Sequence, residues 1–583
     1  MNLSRMIAGF VRRHWTAYAS AAVMLAAISV LTVWIPRQVG HVVDALVAHR
    51  LQGSALLQEL AWLLAAGAAI YLLRVAWRQA LFGASYQLGQ QLRTRLYERL
   101  KLQAPAFFQS KRTGDLMALA TNDIDAVELA AGEALLAGFD GTQTLVLVLA
   151  MMTIGIDWRL GLAALTPFPL MGFAFWRISN HVHHAWQSSL TRFSALNQHA
   201  QEGLAGVRTV RALGLVDRHV RQFHDLAADA ADASFRAQRW EAAYEPAVGM
   251  TLGAATAIAL GYGGWLVMQQ QLSIGQLTAF TMYLGQLIWP MFAAGWVLSL
   301  WERGRAAWGR LAPVLDAPLA LEDHGQADLP SHASLHFEHL RFGYPDAGRL
   351  ALEDFALTLA PGRTLGLVGP TGAGKSTVLR LLLRQFEPDA GVVRIGTTAL
   401  PDIRLEALRR GIAWVPQEPF LFSATIAENI ALAKPGATRA EIEEVARLAS
   451  VDADIRRLPQ GFDTEVGERG VTLSGGQRQR VAIARALLAD APVLLLDDAL
   501  SAVDTATETQ ILAHLRELRA AHPERIVIIV SHRLSAVMDA DHIAVLKAGR
   551  IVEQGRHEAL VDENGWYAQQ WRYQQIEASL EEA

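Results

Sequence analysis

Six long apolar stretches divide the first 300 residues, and nothing of that length recurs afterwards. A bilayer core takes about 20 apolar residues per helix. The stretches at 16–36, 57–80, 133–156, 159–179, 245–268 and 275–300 meet that length. The first, AYASAAVMLAAISVLTVWIP, carries no charge at all. The fifth is rich in Gly and Ala, as helix interfaces in membranes are. The sixth contains Pro290, which a packed membrane bundle tolerates. The pattern predicts an all-α domain of six transmembrane helices over 1–325. The opening MNLSRMIAGFVRRHW has basic residues, Arg5, Arg12 and Arg13, but no small-residue cleavage site follows. It is expected to form an interfacial helix rather than a signal peptide.

The polar stretches between spans are unequal. Those at 81–132 and 180–244 are long and arginine-rich, so the positive-inside bias places them, and with them both termini, in the cytoplasm. Helical periodicity runs on through RTRLYERLKLQAPAFF, so the helices should extend well past the bilayer. Within the spans, Asp140, Gln143, Tyr283, Gln286 and Trp289 are polar or aromatic. Each is a candidate for contact with a transported molecule, Asp140 foremost, and each could equally serve helix packing.

QADLPSH, Gln326 to His332, is expected to be a linker. After it, strands and helices alternate, which predicts a multidomain chain ending in an α/β domain over 333–583. Composition agrees. Charged residues are 19% and hydrophobic ones 52%, against about 25% charge in a typical soluble domain. A net charge of −4 without a basic bias argues against a nucleic-acid partner. The absence of cysteine excludes disulfides, thiol catalysis and zinc–thiolate sites.

The chemistry sits in this second half. GPTGAGKST, Gly369 to Thr377, follows the strand TLGLVG and opens a helix, the full phosphate-binding loop in its proper context. Gly369, Thr371, Gly372, Ala373, Gly374 and Thr377 supply backbone N–H groups and close approach to the phosphates of ATP. Lys375 should reach the β- and γ-phosphates, and Ser376 should hold Mg²⁺. Downstream, LLLDDALSAVD runs three leucines into two acids. Asp497 ends a buried strand and is placed to bind Mg²⁺, mostly through water. LSGGQ puts Ser474, Gly475, Gly476 and Gln477 at another helix amino terminus, a second anion site.

LSGGQ some 20 residues ahead of such a strand resembles the signature of the ATP-binding-cassette (ABC) family, and the resemblance carries further expectations. Gln417 in WVPQEPFLF matches the loop that couples Mg²⁺ and nucleotide to the membrane domain. His532 in IVSHRLS matches the switch histidine on the γ-phosphate. Asp504 in SAVD matches the D-loop, and Tyr344 in FGYP the aromatic that stacks on adenine. EVGERG, Glu465 to Gly470, resembles the exporter-specific X-loop. In this family the signature serves ATP bound to the other cassette of a head-to-tail dimer, so one chain is half of the machine. Six spans ahead of one cassette resemble a type IV ABC exporter half-transporter. FFQSKRTGDLMALATNDID and QEGLAGVRTVRALG resemble its two intracellular loops, and the second enters the partner's cassette.

The chain resembles the A half of the bacterial Mdl/Smd-type heterodimeric multidrug exporters. That resemblance implies a multi-pass protein of the bacterial inner membrane, paired with a second homologous chain, moving a small molecule, lipid or peptide. Glutamate is expected after the Mg²⁺ aspartate, where it polarises the attacking water; here the residue is Asp498. The charge is kept, but the side chain is roughly 1.5 Å shorter, so this site should bind ATP well and cleave it slowly. The partner, with glutamate there and an altered signature, would hold the active site that this chain's LSGGQ completes. The alternative is a homodimer with two slow aspartate sites. A non-transport ABC ATPase is a third reading, and the fused spans speak against it.

Overall fold

The structure, a computed structural model, describes residues 2–51, 53–330, 332–345, 348–467 and 473–582. It separates into two compact units, Met1–Lys101 with Thr113–Ala317, and Leu102–Arg112 with Pro318–Ala583.

The first unit is all helix. Trp15–Val47, Ser54–Lys101, Thr113–Ile156, Val216–Met268 and Ile274–Leu315 are each long and apolar enough to cross a membrane. As expected, they run well past the apolar stretches. The fourth expected span, 159–179, is not one helix. It divides into Trp158–Leu165 and Phe168–Ala205, because Pro167 and Pro169 lack the N–H groups that a continuous helix needs. Similarly, the sixth is interrupted at Leu287, between Ile274–Gln286 and Ile288–Leu315. Pro290 cannot donate to the Gln286 carbonyl one turn back. The amino-terminal helix Leu3–Arg13 forms, but its apolar face of Leu3, Met6, Ile7 and Phe10 is buried in the unit rather than offered to lipid.

Close backbone contact joins the first and last spans. A Cβ on Gly275 would lie 1.9 Å from the Gly40 carbonyl oxygen, so only glycine fits. Asp44 fixes the approach, accepting from Ser273 Oγ at 2.5 Å and Gly275 N at 2.7 Å. Tyr283, a candidate for either substrate contact or helix packing, belongs to this packing. It is fully buried, and its hydroxyl donates to the Val33 carbonyl at 2.7 Å.

The second unit holds a six-stranded sheet. Its spatial order is Arg550–Gly555, His542–Lys547, Thr364–Val368, Ile526–Val530, Val493–Asp497 and Ile412–Val415. Only the first pair is antiparallel. Every residue of Thr364–Val368, Val493–Asp497 and Ile526–Val530 is buried, as parallel strands covered on both faces must be. An antiparallel sheet, in the order Leu350–Leu359, Leu335–Gly343, Ala390–Ile395 and Thr398–Ala399, packs through Phe337, Phe355 and Leu357 on one core. A second core gathers Ile426–Ala431, Arg439–Leu448 and the helix Gly475–Leu488.

The expected linker 326–332 is stitched to this unit over its described residues. Gln326 N and Ala327 N both donate to the Asp402 carbonyl at 3.0 Å, Arg404 N donates to Ala327 O at 2.9 Å, and Asp328 pairs with Arg404. Backbone groups that would otherwise lack partners fix a stretch whose Pro and Ser content suggested freedom. The tip Leu102–Arg112 also clusters with this unit, with Ala106 against the core that holds Phe337.

Candidate functional site

Three parallel strands end at one place. The phosphate loop follows Thr364–Val368, Asp497 closes Val493–Asp497, and His532 follows Ile526–Val530 by two residues. Ligands bind at the carboxyl ends of parallel strands, and here a cavity of about 310 Å³ opens there. Tyr344, Thr371, Gly372, Ala373, Gly374, Lys375, Ser376, Thr377, Gln417, Asp497, Asp498 and His532 all line it. Residues from five separate sequence segments thus converge.

The loop's shape depends on glycine. Gly369 has φ 141° and Gly374 φ 106°. A Cβ would meet Leu546 O at 2.0 Å in the first case and Ala351 O at 2.5 Å in the second. The turn delivers Lys375 to the start of the helix Lys375–Leu382. Its side chain is buried, and Nζ donates back to the carbonyls of Gly369 at 2.8 Å and Pro370 at 3.0 Å. Burial holds the ammonium below its ordinary pKa, against the opposing pull of Asp498 and Asp497. Ser376 Oγ donates to Asp497 Oδ1 at 2.8 Å. Burial pushes the Asp497 carboxyl above the usual carboxylate range, and the Ser376 hydrogen bond works the other way.

Asp498 is also buried and sits in the left-handed region at φ 50°. Its N–H donates to Val530 O at 2.8 Å, and its Oδ2 faces Gln417 Nε2 at 3.5 Å. Two buried acids, Asp497 and Asp498, thus share the cavity with three cations, Arg349, Lys375 and Arg380. Partial burial and the nearby Lys375 hold His532 below the ordinary histidine value, against the opposing pull of Asp498 and Asp497. Tyr344 is held edge-on by Phe342 and Phe386, with ring centroids 5.0 and 5.3 Å away. Its hydroxyl is 3.2 Å from Thr377 Oγ1 and accepts from Arg380 at 3.0 Å.

The signature lies elsewhere in the unit and does not line this cavity. Ser474 caps the helix Gly475–Leu488, its Oγ accepting from Gln477 N at 3.2 Å while Gln477 Oε1 accepts from Ser474 N at 3.0 Å. Asp504 caps Thr505–Ala521 through Thr507 N at 3.0 Å, and that bond lowers its pKa. Of the EVGERG stretch, Glu468, Arg469 and Gly470 lie outside the described residues.

Two buried polar residues join these loops, and sequence reasoning missed both. Gln479 donates to Gln417 O at 3.4 Å and Ser501 Oγ at 3.3 Å and accepts from Ala502 N at 3.0 Å. Glu508 accepts from Arg533 at 2.8 Å and Ser535 at 3.1 Å, while Arg533 also reaches Val503 O at 3.1 Å. Gln479 was detectable, since it shares a helix face with the apolar Ile483 and Ala486 at spacings of four and seven.

A phosphate loop, an acid-tipped strand and a signature helix on one sheet define a nucleotide-binding cassette, and comparison with known proteins agrees. The family model for the ABC transporter transmembrane region matches residues 19–291, and that for the ABC transporter cassette matches 352–501. The chain belongs to the ABC exporters, membrane proteins in which a cassette hydrolyses ATP to drive transport. It is 44% identical to the multidrug resistance-like ATP-binding protein MdlA of Escherichia coli (strain K12), over 100% of this chain and 98% of the relative. It is 37% identical to YheI of Bacillus subtilis (strain 168), a probable multidrug resistance ABC transporter ATP-binding/permease protein, over 97% of each. A solved bacterial Atm1-family ABC exporter with ATP bound matches with a TM-score of 0.78 at 28% identity, over 97% of this chain and 98% of that one.

Proposed function

We propose that this chain is one half of a heterodimeric exporter of the bacterial inner membrane, with the cassette and both termini in the cytoplasm. Its own phosphate loop builds the slow ATP site, and its signature completes the fast one. The observation that carries this reading is Asp498, a short acid at the position that faces Gln417. Lys375, Ser376, Thr377 and the loop N–H groups hold the phosphates, and Tyr344 packs on the adenine. Ser376, Asp497 and Gln417 offer only oxygen donors, the set that suits Mg²⁺. Burial raises the pKa of Asp497 although Ser376, Arg380 and Lys375 act against it, and Mg²⁺ brought with ATP would favour the charged carboxylate further.

Completion of each site needs a signature from across a dimer, because this chain's own signature is away from its cavity. The tip around Val207–Ala212 supports a partner too. Leu204, Val207 and Leu213 are exposed there, and apolar side chains at a helix turn suit docking on a second cassette. ATP draws the cassettes together, the tips pass closure to the spans, and hydrolysis at the partner's site resets them.

The two sites are separable by mutation. In the assembled pair, Ser474→Arg should lower total ATP turnover by at least about tenfold, since one lost charge-stabilising group costs about that or more. Asp498→Asn should change it less than about twofold, because little hydrolysis is lost with a site that hydrolyses little. A homodimer of slow sites predicts equal damage from both.

A further inference from the structure

The membrane unit contains a cavity of about 700 Å³ between the spans, within the roughly 300–1,000 Å³ range of small-molecule sites. Its wall is unusual in charge. Arg74 and Arg78 contribute from one helix, Glu133 and Asp140 from another. All four lie within the expected spans, yet among the described residues none joins an ion pair. Asp140 accepts only a neutral hydrogen bond, from Trp289 Nε1 at 2.9 Å. Arg78 lies 5.6 Å from the ring centre of Trp77. Charged groups inside a membrane domain are costly and pair with one another or with what passes between them. Here the protein leaves two of each sign unmatched.

Trp77, Phe82, Trp289, Phe292 and Trp296 add aromatic surface to the wall, beside aliphatic Leu25, Ile28 and Leu136. Three lining residues also carry a buried polar atom without a partner among the described residues: Ser29 Oγ, Trp77 Nε1 and Gln286 Oε1. A singly charged ligand would satisfy one pair of charges and face the other as like charge. A molecule with both a cationic and an anionic group, on an aromatic or extended apolar body, answers both pairs. We infer that this cavity binds zwitterionic amphiphiles, the acids taking the cationic end and the arginines the anionic end. This rests on the exporter reading of the chain, and it names the class of cargo.

Binding can be read without ATP turnover, which keeps the two claims apart. The full chain in lipid nanodiscs is titrated, without nucleotide, with three probes sharing one fluorophore: dansylcadaverine (cationic), dansylglycine (anionic) and Nε-dansyl-lysine (zwitterionic). The expected result is at least about tenfold tighter binding of the zwitterion, one well-placed charge pair's worth. Asp140→Asn should reduce it toward the anionic probe and Arg78→Gln toward the cationic one. Arg78→Lys should retain the preference, and intact ATP binding by each variant shows that it is folded. Displacement of dansyl-lysine by an acyl-chain-labelled phosphatidylethanolamine assigns the natural cargo to lipid, and its persistence assigns it to a free small molecule. Equal binding of all three probes, or tightest binding of a singly charged one, overturns the inference, as does a preference unmoved by both charge-removing variants.

Discussion

Asp498→Glu should raise the ATP turnover of the assembled pair, with the partner's fast site disabled, by about 10- to 100-fold, at or below the lower end of the usual contribution of a positioned general base. The backbone at Asp498 is fixed by its N–H bond to Val530 O at 2.8 Å and by its left-handed φ of 50°. The Cα therefore cannot advance toward the phosphates to make up for a short side chain. A glutamate adds one carbon–carbon bond, about 1.5 Å, while a base must come within about 2.6–3.2 Å of the proton it takes. Steady-state phosphate release with and without the substitution checks this. No gain, with ATP affinity unchanged, rules out side-chain length as the cause of slow hydrolysis.

Lys375→Ala should weaken ATP binding by about 100-fold, the equivalent of about 3 kcal/mol for the loss of a charged hydrogen-bond donor. The ammonium is already desolvated and tethered only to the carbonyls of Gly369 and Pro370, so it can turn to phosphate without being stripped of water again. Equilibrium binding of a fluorescent ATP analogue measures the loss. Removal of the ammonium also leaves Asp497 and Asp498 with less nearby positive charge, so the deficit should be larger at low magnesium. Affinity within about twofold of the original would mean that the loop's N–H groups alone hold the nucleotide.

Much of this site was legible because its chemistry is local. A nine-residue loop that must wrap phosphate leaves glycines at fixed intervals, and a buried strand that ends on an acid announces itself by its leucines. The contacts that set the loops relative to one another were not legible in the same way. Gln479 and Glu508 act through partners 22 to 62 positions away; the apolar helix face around Gln479 signals its burial, but nothing local identifies those partners. In the membrane half, apolar length located the spans, but length does not report backbone breaks. Pro167 with Pro169 divides the fourth, and Pro290 interrupts the sixth. Sequence singled out Asp140, Gln286 and Trp289, which do line the cavity, together with Gln143, which does not. It passed over Arg74, Arg78 and Glu133, because charges near the ends of a span read as ordinary topology signals. Linker composition misled for a related reason. Gln326 and Ala327 are held by backbone pairing to Asp402 and Arg404, and backbone pairing leaves no mark on side-chain choice.

The division of labour between two chains is tested most directly by reconstituting this chain in liposomes alone, then with a homologous half-transporter carrying glutamate after its own strand-end aspartate, and measuring ATP turnover in each. The account predicts that the chain by itself runs at least about tenfold slower than the pair. Turnover by the lone chain equal to that of the pair would contradict it.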